Sequence, residues 1–209
     1  METIKLKVCG MRDAANIGEV SKLAPEYVGF IFYPKSPRFV GDDFRIPETL
    51  PAPVKRVGVF VNESIAAILK KRELLQLDYI QLHGDETVAQ CLELKRNGAG
   101  IIKVFSVDDQ MDFECTRAYG DVVDYFLFDT KGKYRGGNAR TFDWSILERY
   151  HQEIPFFLSG GLSPDNVGEV AALKDMNLYA LDVNSGVERT AGIKDPEKIK
   201  QVKDKLISY

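Results

Sequence analysis

Eight short runs of β-branched, aromatic and aliphatic residues recur along the chain, and most are followed by a segment with helical spacing of apolar residues. Because parallel strands need a crossover connection, usually a helix, this alternation predicts a parallel sheet. The predicted strands are residues 4–9, 27–33, 56–61, 79–83, 101–106, 125–129, 156–159 and 179–184. The predicted helices are residues 13–23, 63–74, 86–96, 144–150, 164–173 and 195–207, with less regular connections after strands two and five.

The number of βα units decides between two α/β architectures. Eight units in 209 residues leave little room for a second domain, so we expect a single domain over residues 1–209. An open doubly wound sheet usually carries Gly-x-Gly-x-x-Gly in its first turn, whereas the first predicted strand ends Val8-Cys9-Gly10-Met11-Arg12. The sequence therefore predicts an α/β fold with one closed (β/α)8 TIM barrel.

Charge and composition restrict the partners that the protein can have. A net charge of −3 and a pI near 5.5 offer no clustered basic face for nucleic acid. Three cysteines and two histidines occur in no paired or metal-ligand spacing, so no metal is predicted. The first residues lack the apolar core of a signal peptide, and no apolar run approaches the roughly 20 residues that span a bilayer. We expect a cytoplasmic protein that binds a small molecule, and neither nucleic acid nor a membrane.

Residues at the C-terminal ends of the predicted strands are the candidates for chemistry, because barrels of this type build their active sites there. Cys9 ends the first strand, and the two-residue period places Lys7 on the same face, where its charge would favour a thiolate. Asp129 ends the sixth strand after an apolar run, where a carboxylate is costly to bury unless it is paired or used. The alternatives are a buried inert cysteine and an aspartate that caps the following loop.

Three further polar residues lie at strand ends or in the loops that follow. His83, at the end of the fourth strand, fits a structural hydrogen bond or a substrate contact equally well. Asp182, in the eighth strand, fits a scaffold role or an orienting role. Arg38 lies in a loop stiffened by Pro34 and Pro37, where its guanidinium would suit a planar carboxylate; the alternative is a surface arginine.

Glycines follow the seventh and eighth strands, in Gly160-Gly161 and Ser185-Gly186. Many barrels bind phosphate at these two places, because glycine lets backbone N–H groups approach an anion closely. Tight turns alone would also explain a double glycine. The paired positions nevertheless favour a phosphorylated ligand.

The order of these motifs resembles the phosphoribosylanthranilate isomerase family over essentially the whole chain. Single motifs are modestly specific, whereas their joint order is highly specific. Those in the first half are Lys7-Val8-Cys9-Gly10-Met11, Ser36-Pro37-Arg38, Val57-Gly58-Val59-Phe60-Val61-Asn62, Gln81-Leu82-His83-Gly84 and Lys103-Val104-Phe105. Those in the second half are Leu127-Phe128-Asp129, Gly136-Gly137, Phe142-Asp143-Trp144, Leu158-Ser159-Gly160-Gly161-Leu162, Pro164-Asp165-Asn166-Val167, Asp182-Val183-Asn184-Ser185-Gly186-Val187-Glu188 and Gly192-Ile193-Lys194-Asp195.

The resemblance implies an isomerase of tryptophan biosynthesis that performs an Amadori rearrangement on N-(5'-phosphoribosyl)anthranilate without metal or organic cofactor. It implies that Asp129 protonates the furanose ring oxygen and that Cys9 removes the proton from C2 of the sugar. Arg38 would hold the anthranilate carboxylate, and Asp182 would orient a substrate hydroxyl. The substrate phosphate would be bound by Gly160, Gly161, Ser185 and Gly186. A monomer and a homodimer are both compatible with the sequence.

Two positions depart from the family pattern. Asn138-Ala139 stands where the family usually has Thr-Gly, and Asn184 stands where it usually has serine. The first change replaces a conformationally flexible glycine, and the second changes a side chain near the expected phosphate but keeps the backbone donors. Two other functions stay open, a different phosphosugar aminoaldose isomerase and a barrel that binds a phosphorylated ligand without catalysis. The former would normally use two aspartates, whereas Cys9 replaces the first of them here.

Overall fold

The computed structural model describes residues 3–130, 143–151 and 153–206. Eight parallel strands follow one another around a closed barrel, and the circle is completed where the eighth strand pairs with the first. The strands are β1 (Lys5–Val8), β2 (Tyr27–Ile31), β3 (Lys55–Phe60), β4 (Tyr79–Leu82), β5 (Gly100–Val107), β6 (Tyr125–Thr130), β7 (Phe156–Leu158) and β8 (Leu178–Val183). The predicted strands and the predicted closed barrel are therefore confirmed.

Helices follow most of the strands and confirm four of the predicted ones. The α-helices are α1 (Ala14–Ser21), α2 (Ile65–Leu75), α3 (Val88–Arg96), the single turn α4 (Glu114–Arg117) and α5 (Pro196–Leu206). Segments of 3-10 helix occupy Gly120–Val122, Trp144–Arg149, Val167–Leu173 and Ser185–Val187. None of the helices in the described part of the chain combines the length and apolar character that crossing a membrane requires.

Two helix predictions are wrong in type. The segments predicted as α-helices at 144–150 and 164–173 form shorter stretches of 3-10 helix, which often connects larger elements. The connection between β2 and β3, which was expected to be less regular, runs as turns and irregular chain over residues 32–54. That segment contains five prolines, and each proline lacks an amide donor and disfavours helical geometry in the residue before it.

Side-chain caps set the positions where the longer helices begin. The carboxylate of Asp13 accepts the backbone N–H of Asn16 at 2.8 Å. Ahead of α3, Thr87 and Gln90 form a reciprocal capping box. These local hydrogen bonds satisfy amide groups that the first helical turn leaves without partners. They also fix the entry of each helix directly after the loop at the C-terminal rim of the barrel.

The interior of the barrel is aromatic at the N-terminal ends of the strands. Tyr27, Tyr79, Tyr125 and Tyr179 come from β2, β4, β6 and β8, where they surround the buried Phe157. The rings of Tyr125 and Tyr179 stack at 4.5 Å between centroids, and the hydroxyl groups of Tyr27 and Tyr179 are 2.9 Å apart. Layers contributed by alternate strands are the expected filling of such a barrel. This aromatic layer closes one end, so a ligand cavity has room only at the other.

A short antiparallel hairpin follows β8 at the C-terminal rim, made of β9 (Glu188–Thr190) and β10 (Ile193–Lys194). The side chain of Asn16 in α1 holds it in place. Its Oδ1 accepts the N–H of Lys194 at 2.7 Å, and its Nδ2 donates to the carbonyl of Lys194 at 2.9 Å. Two directional bonds from one buried side chain therefore fix the hairpin beside the first βα unit.

Phe157 offers a test of the inner core. Its ring lies edge-on to Tyr27 and Tyr125, each at 5.3 Å between centroids, and the side chain has no exposed surface. We expect Phe157→Ala to lower the free energy of unfolding by about 3–5 kcal/mol, since it leaves a cavity in a closed layer. Urea denaturation measures the change. Leu74→Ala, at a side chain that is 51% exposed, is the matched control and should alter stability by less than about 0.5 kcal/mol. A loss below about 1 kcal/mol for Phe157→Ala would contradict this view of the core.

Candidate active site

One pocket at the C-terminal rim of the barrel is lined by all of the site residues that were predicted from the sequence. They are Cys9, Arg38, His83, Asp129, Gly160, Gly161, Asp182, Ser185 and Gly186. Period-two alternation explains the grouping, because side chains two residues apart in a strand point to the same side of the sheet. Residues more than a hundred positions apart in sequence thus meet around one cavity. The pocket is therefore the candidate active site.

A buried ion pair lies beneath the Cys9 thiol. The ammonium of Lys7 donates to Asp182 Oδ1 at 2.7 Å, and both side chains are almost fully buried. Burial raises the pKa of the Cys9 thiol, and this effect outweighs the lowering by the nearby ammonium of Lys7. Lys7 favours the thiolate, as expected, but the opposite effect of burial on the pKa of Cys9 is larger. Lys7 itself stays protonated, because Asp182 and Cys9 raise its pKa against the effect of burial.

Gly29 in β2 provides the space that the thiol occupies, and sequence reasoning missed it. A Cβ atom at this position would lie 2.8 Å from Cys9 Sγ, closer than such contacts occur. A side chain at Gly29 would therefore displace the thiol. A glycine inside a strand is a recognised signal for close approach, so the position was detectable in principle.

Asp129 lies opposite, on β6, in contact with His83 on the loop after β4. Nε2 of His83 is 3.4 Å from Asp129 Oδ2, and its Nδ1 is 3.3 Å from the amide nitrogen of Gln81. Asp129 Oδ1 is buried and makes no hydrogen bond to the described part of the chain. Gln81 also lines the pocket. In the sequence it stands out only as the first residue of the motif that contains His83. This side of the pocket therefore contains one carboxyl oxygen without a hydrogen-bond partner in the described part of the chain.

Arg38 is held by a residue that the sequence analysis did not single out. Its Nε and Nη2 donate to the two carboxylate oxygens of Glu188 at 2.8 and 2.7 Å. Lys194 donates to Glu188 Oε1 at 2.7 Å and to Asn184 Oδ1 at 2.6 Å. The surface-arginine alternative is wrong, because Arg38 is only 9% exposed. Asn184, which departs from the family pattern, thus contributes to holding Lys194.

The two glycine-bearing loops have backbones that only glycine permits. Gly160 has a φ of +95°, and a Cβ atom there would lie 2.1 Å from Thr130 Oγ1. A Cβ atom at Gly186 would lie 2.0 Å from the carbonyl oxygen of Leu162. The backbone N–H groups of both glycines make no hydrogen bond within the described ranges. Unpaired amides on two facing loops are suited to an anion.

A second buried ion pair fixes the loop that carries His83. The ammonium of Lys103 in β5 donates to the carbonyl of Gly84 at 2.8 Å and to Glu86 at 3.2 Å. The carboxylate of Glu86 accepts the N–H of Asn62 at 2.8 Å. The loops after β3 and β4 are therefore joined to each other and to β5. Asn138-Ala139, the other departure from the family pattern, lies outside the described residues.

A thiol and a carboxyl group, those of Cys9 and Asp129, face one pocket at the C-terminal rim of a closed parallel barrel, which is where barrels of this type place their active sites. The fold and the site together define a (β/α)8-barrel enzyme. Across residues 3–130, 143–151 and 153–206, no three His, Cys, Asp or Glu side chains are grouped as they would be to hold a metal ion.

Comparison with known proteins gives the family. The model of the family described as N-(5'-phosphoribosyl)anthranilate (PRA) isomerase matches residues 6–205. N-(5'-phosphoribosyl)anthranilate isomerase of Parabacteroides distasonis is 43% identical over 198 residues, which are 93% of this chain and 90% of the relative. The chain belongs to the N-(5'-phosphoribosyl)anthranilate isomerase family, as the order of its motifs predicted.

Solved structures agree with this assignment. The crystal structure of phosphoribosyl anthranilate isomerase from Thermotoga maritima matches with a TM-score of 0.84 and 34% identity, covering 99% of this chain and 100% of that one. A phosphoribosyl anthranilate isomerase in complex with reduced 1-(o-carboxyphenylamino)-1-deoxyribulose 5-phosphate matches with a TM-score of 0.82 and 33% identity, with the same coverage. The sequence identity to both structures is high enough to support the family as well as the fold.

The raised pKa of Cys9 makes its reactivity testable. We expect iodoacetamide to alkylate Cys9 slowly at pH 7 and faster as the pH rises above 9.0, the ordinary value for a thiol, because only the thiolate reacts. Peptide mass spectrometry distinguishes Cys9 from Cys91 and Cys115. The same protein unfolded in urea is the control and should show the ordinary pH profile. Equal alkylation rates of Cys9 in native and unfolded protein at pH 7 would contradict the effect of burial.

Proposed function

We propose that the pocket catalyses the Amadori rearrangement of N-(5'-phosphoribosyl)anthranilate to 1-(o-carboxyphenylamino)-1-deoxyribulose 5-phosphate, a step of tryptophan biosynthesis. The grouping of Cys9, Asp129 and Arg38 with two glycine-bearing loops around one pocket carries the proposal. The substrate needs a base, an acid, a partner for its carboxylate and a site for its phosphate. Each of these four needs has a matching group in the pocket.

Asp129 is the acid that opens the sugar ring. Its Oδ2 lies beside His83, and its Oδ1 has no hydrogen-bond partner among the described residues, so we place the transferred proton on Oδ1. That proton passes to the furanose ring oxygen as the bond from this oxygen to C1 breaks. The lone pair of the anthranilate nitrogen forms the C1=N bond of a protonated Schiff base. His83 then faces the carboxylate that remains on Asp129.

Cys9 is the base that completes the rearrangement. It takes the proton from C2, the C–H electrons form the C1=C2 bond, and the C1=N electrons return to nitrogen. Burial keeps the thiol protonated in the free protein. The positive charges of the Schiff base and of Lys7 favour the thiolate once substrate is bound, and the thiol proton then passes to solvent. The Cys9 thiol then donates its proton to C1 of the enol, and the carboxylate of Asp129 takes the proton of the hydroxyl on C2, which gives the ketone and restores the acid.

The remaining pocket residues bind the parts of the substrate that do not react. Arg38 holds the anthranilate carboxylate through paired charge-assisted hydrogen bonds. Asp182 orients a sugar hydroxyl through its Oδ2. Lys7 occupies Oδ1, whereas the hydrogen bond that Oδ2 accepts from Ser159 Oγ is long, at 3.5 Å. Backbone amides of the two glycine-bearing loops bind the phosphate.

Three expectations from the sequence stay predictions. They are the cytoplasmic location, the single domain over residues 1–209 and the monomeric or homodimeric state.

Two substitutions test the acid and the base. We expect Cys9→Ala and Asp129→Asn each to lower kcat by at least about 100-fold, because neither replacement can transfer the proton that its step requires. The fluorescence of the anthranilate group follows turnover of N-(5'-phosphoribosyl)anthranilate directly.

The matched controls are Cys115→Ala and Asp121→Asn, which make the same chemical changes at exposed positions and should retain parental turnover. Each variant is first checked for a native thermal transition. A folded Cys9→Ala enzyme within about tenfold of parental kcat, a barrier change of about 1.4 kcal/mol, would show that Cys9 is not the base. Asp182 would then be the next candidate.

The phosphate site predicts that inorganic phosphate competes with substrate. We expect Gly186→Ala to raise the inhibition constant of phosphate by about tenfold or more, because the new Cβ atom would strike the Leu162 carbonyl oxygen and displace the loop amides. Gly120→Ala is the control, since a Cβ atom there meets nothing within 4 Å. Steady-state inhibition at several phosphate concentrations measures the effect. Unchanged phosphate inhibition in Gly186→Ala would place the phosphate elsewhere.

A further inference from the structure

Glu188 accepts more hydrogen bonds than any role in the proposed chemistry requires. It is the first residue of β9, and its side chain is only 6% exposed. Its donors are Arg38 Nε at 2.8 Å, Arg38 Nη2 at 2.7 Å, Lys194 Nζ at 2.7 Å and the N–H of Gly192 at 2.9 Å. A carboxylate with this many partners has one fixed position.

Glu188 contacts one edge of the Arg38 guanidinium and does not contact a second edge. A guanidinium is planar and carries five N–H donors, so it can receive a carboxylate on the edge formed by Nε and Nη2 or on the edge formed by Nη1 and Nη2. Glu188 occupies the first edge. Nη1 makes no hydrogen bond to any residue that the structure describes, and Arg38 lines the pocket. The second edge is therefore available to a ligand carboxylate.

The charges around Arg38 suit one additional anion. Arg38, Glu188 and Lys194 together carry one net positive charge when all three are ionised. Burial lowers the pKa of Lys194 to about 8, so most of it is protonated at pH 7. Hydrogen bonds from Arg38 and Lys194 keep the pKa of Glu188 below its ordinary value although burial opposes this. A single carboxylate in the pocket would neutralise the cluster.

We infer that Glu188 is a positioning residue for substrate specificity, which fixes the Arg38 guanidinium with its free edge ready for the aryl carboxylate of the substrate. The inference rests on the proposed function of the pocket. An unrestrained arginine would lose side-chain entropy on binding, whereas Glu188 imposes that order before the ligand arrives. Lys194, held by Asn184, offsets the negative charge that Glu188 brings near the incoming carboxylate.

A pair of ligands separates positioning from a general structural role. The first is reduced 1-(o-carboxyphenylamino)-1-deoxyribulose 5-phosphate, and the second is the same compound without the carboxyl group. We expect Glu188→Gln to weaken binding of the first ligand by about tenfold or more and to change binding of the second by less than about twofold. Glu188→Asp retains the charge on a shorter side chain and should recover part of the affinity for the first ligand. Isothermal titration calorimetry measures both.

The combination with Arg38 shows whether Glu188 acts through it. In an Arg38→Ala background, Glu188→Gln should cause no further loss of affinity for the carboxylated ligand, because the group it positions is gone. Glu197→Gln, the same change at an exposed residue of α5, is the control and should bind both ligands as the parent does.

Each alternative gives a different result. Equal weakening of both ligands would show that Glu188 only supports the fold of the pocket and would overturn the inference. Tighter binding of the carboxylated ligand to Glu188→Gln would show that Glu188 competes with it, which also overturns the inference. If Glu188→Gln binds both ligands as the parent does, the inference is likewise overturned, and the proposed function stays intact. The proposed function itself fails only if the parent does not convert N-(5'-phosphoribosyl)anthranilate.

Discussion

The buried ion pair between Lys7 and Asp182 is the interaction on which both the barrel and the site depend. Either charge alone in the interior would cost several kcal/mol, so each requires the other. The two residues are direct Cα partners in the pairing of β1 with β8. A shift of one residue would turn these side chains to opposite faces and leave both charges without a partner. The register that closes the barrel is also the one that places Cys9 beside Lys7.

The barrel separates two environments along its axis. Its N-terminal half is filled by four tyrosines and Phe157, whereas its C-terminal half contains Lys7, Asp182, Asp129 and Gln81. Burying polar groups lowers stability unless each finds a partner. The aromatic layer and the larger apolar core beneath the helices compensate for that cost. A cluster of buried charges at the rim is tolerated because the rest of the interior is closely packed.

The sequence was informative where a residue's role follows from its place in a regular element. The places of Cys9 and Asp129 in the pocket were predictable, because strands have a two-residue period and barrels of this type build their active sites at strand ends. Glu188 was not, because β9 has three residues and shows no period, and its partner Arg38 is 150 positions away. The role of Gly29 depends on the thiol of the neighbouring strand. Such pairings follow from tertiary contacts rather than from local pattern.

Lys7 has a consequence for the chain during its synthesis. β1 is the first barrel strand to be made, and Asp182, 175 residues later, is needed to neutralise it. Until β8 emerges from the ribosome, β1 is the open edge of an incomplete sheet. A lysine that points to the inside of such an edge prevents pairing with the edge of another chain, since the partner strand would have to bury its charge. The residue that supports the thiol in the finished barrel is therefore also one that opposes pairing of an exposed β1 edge with another chain.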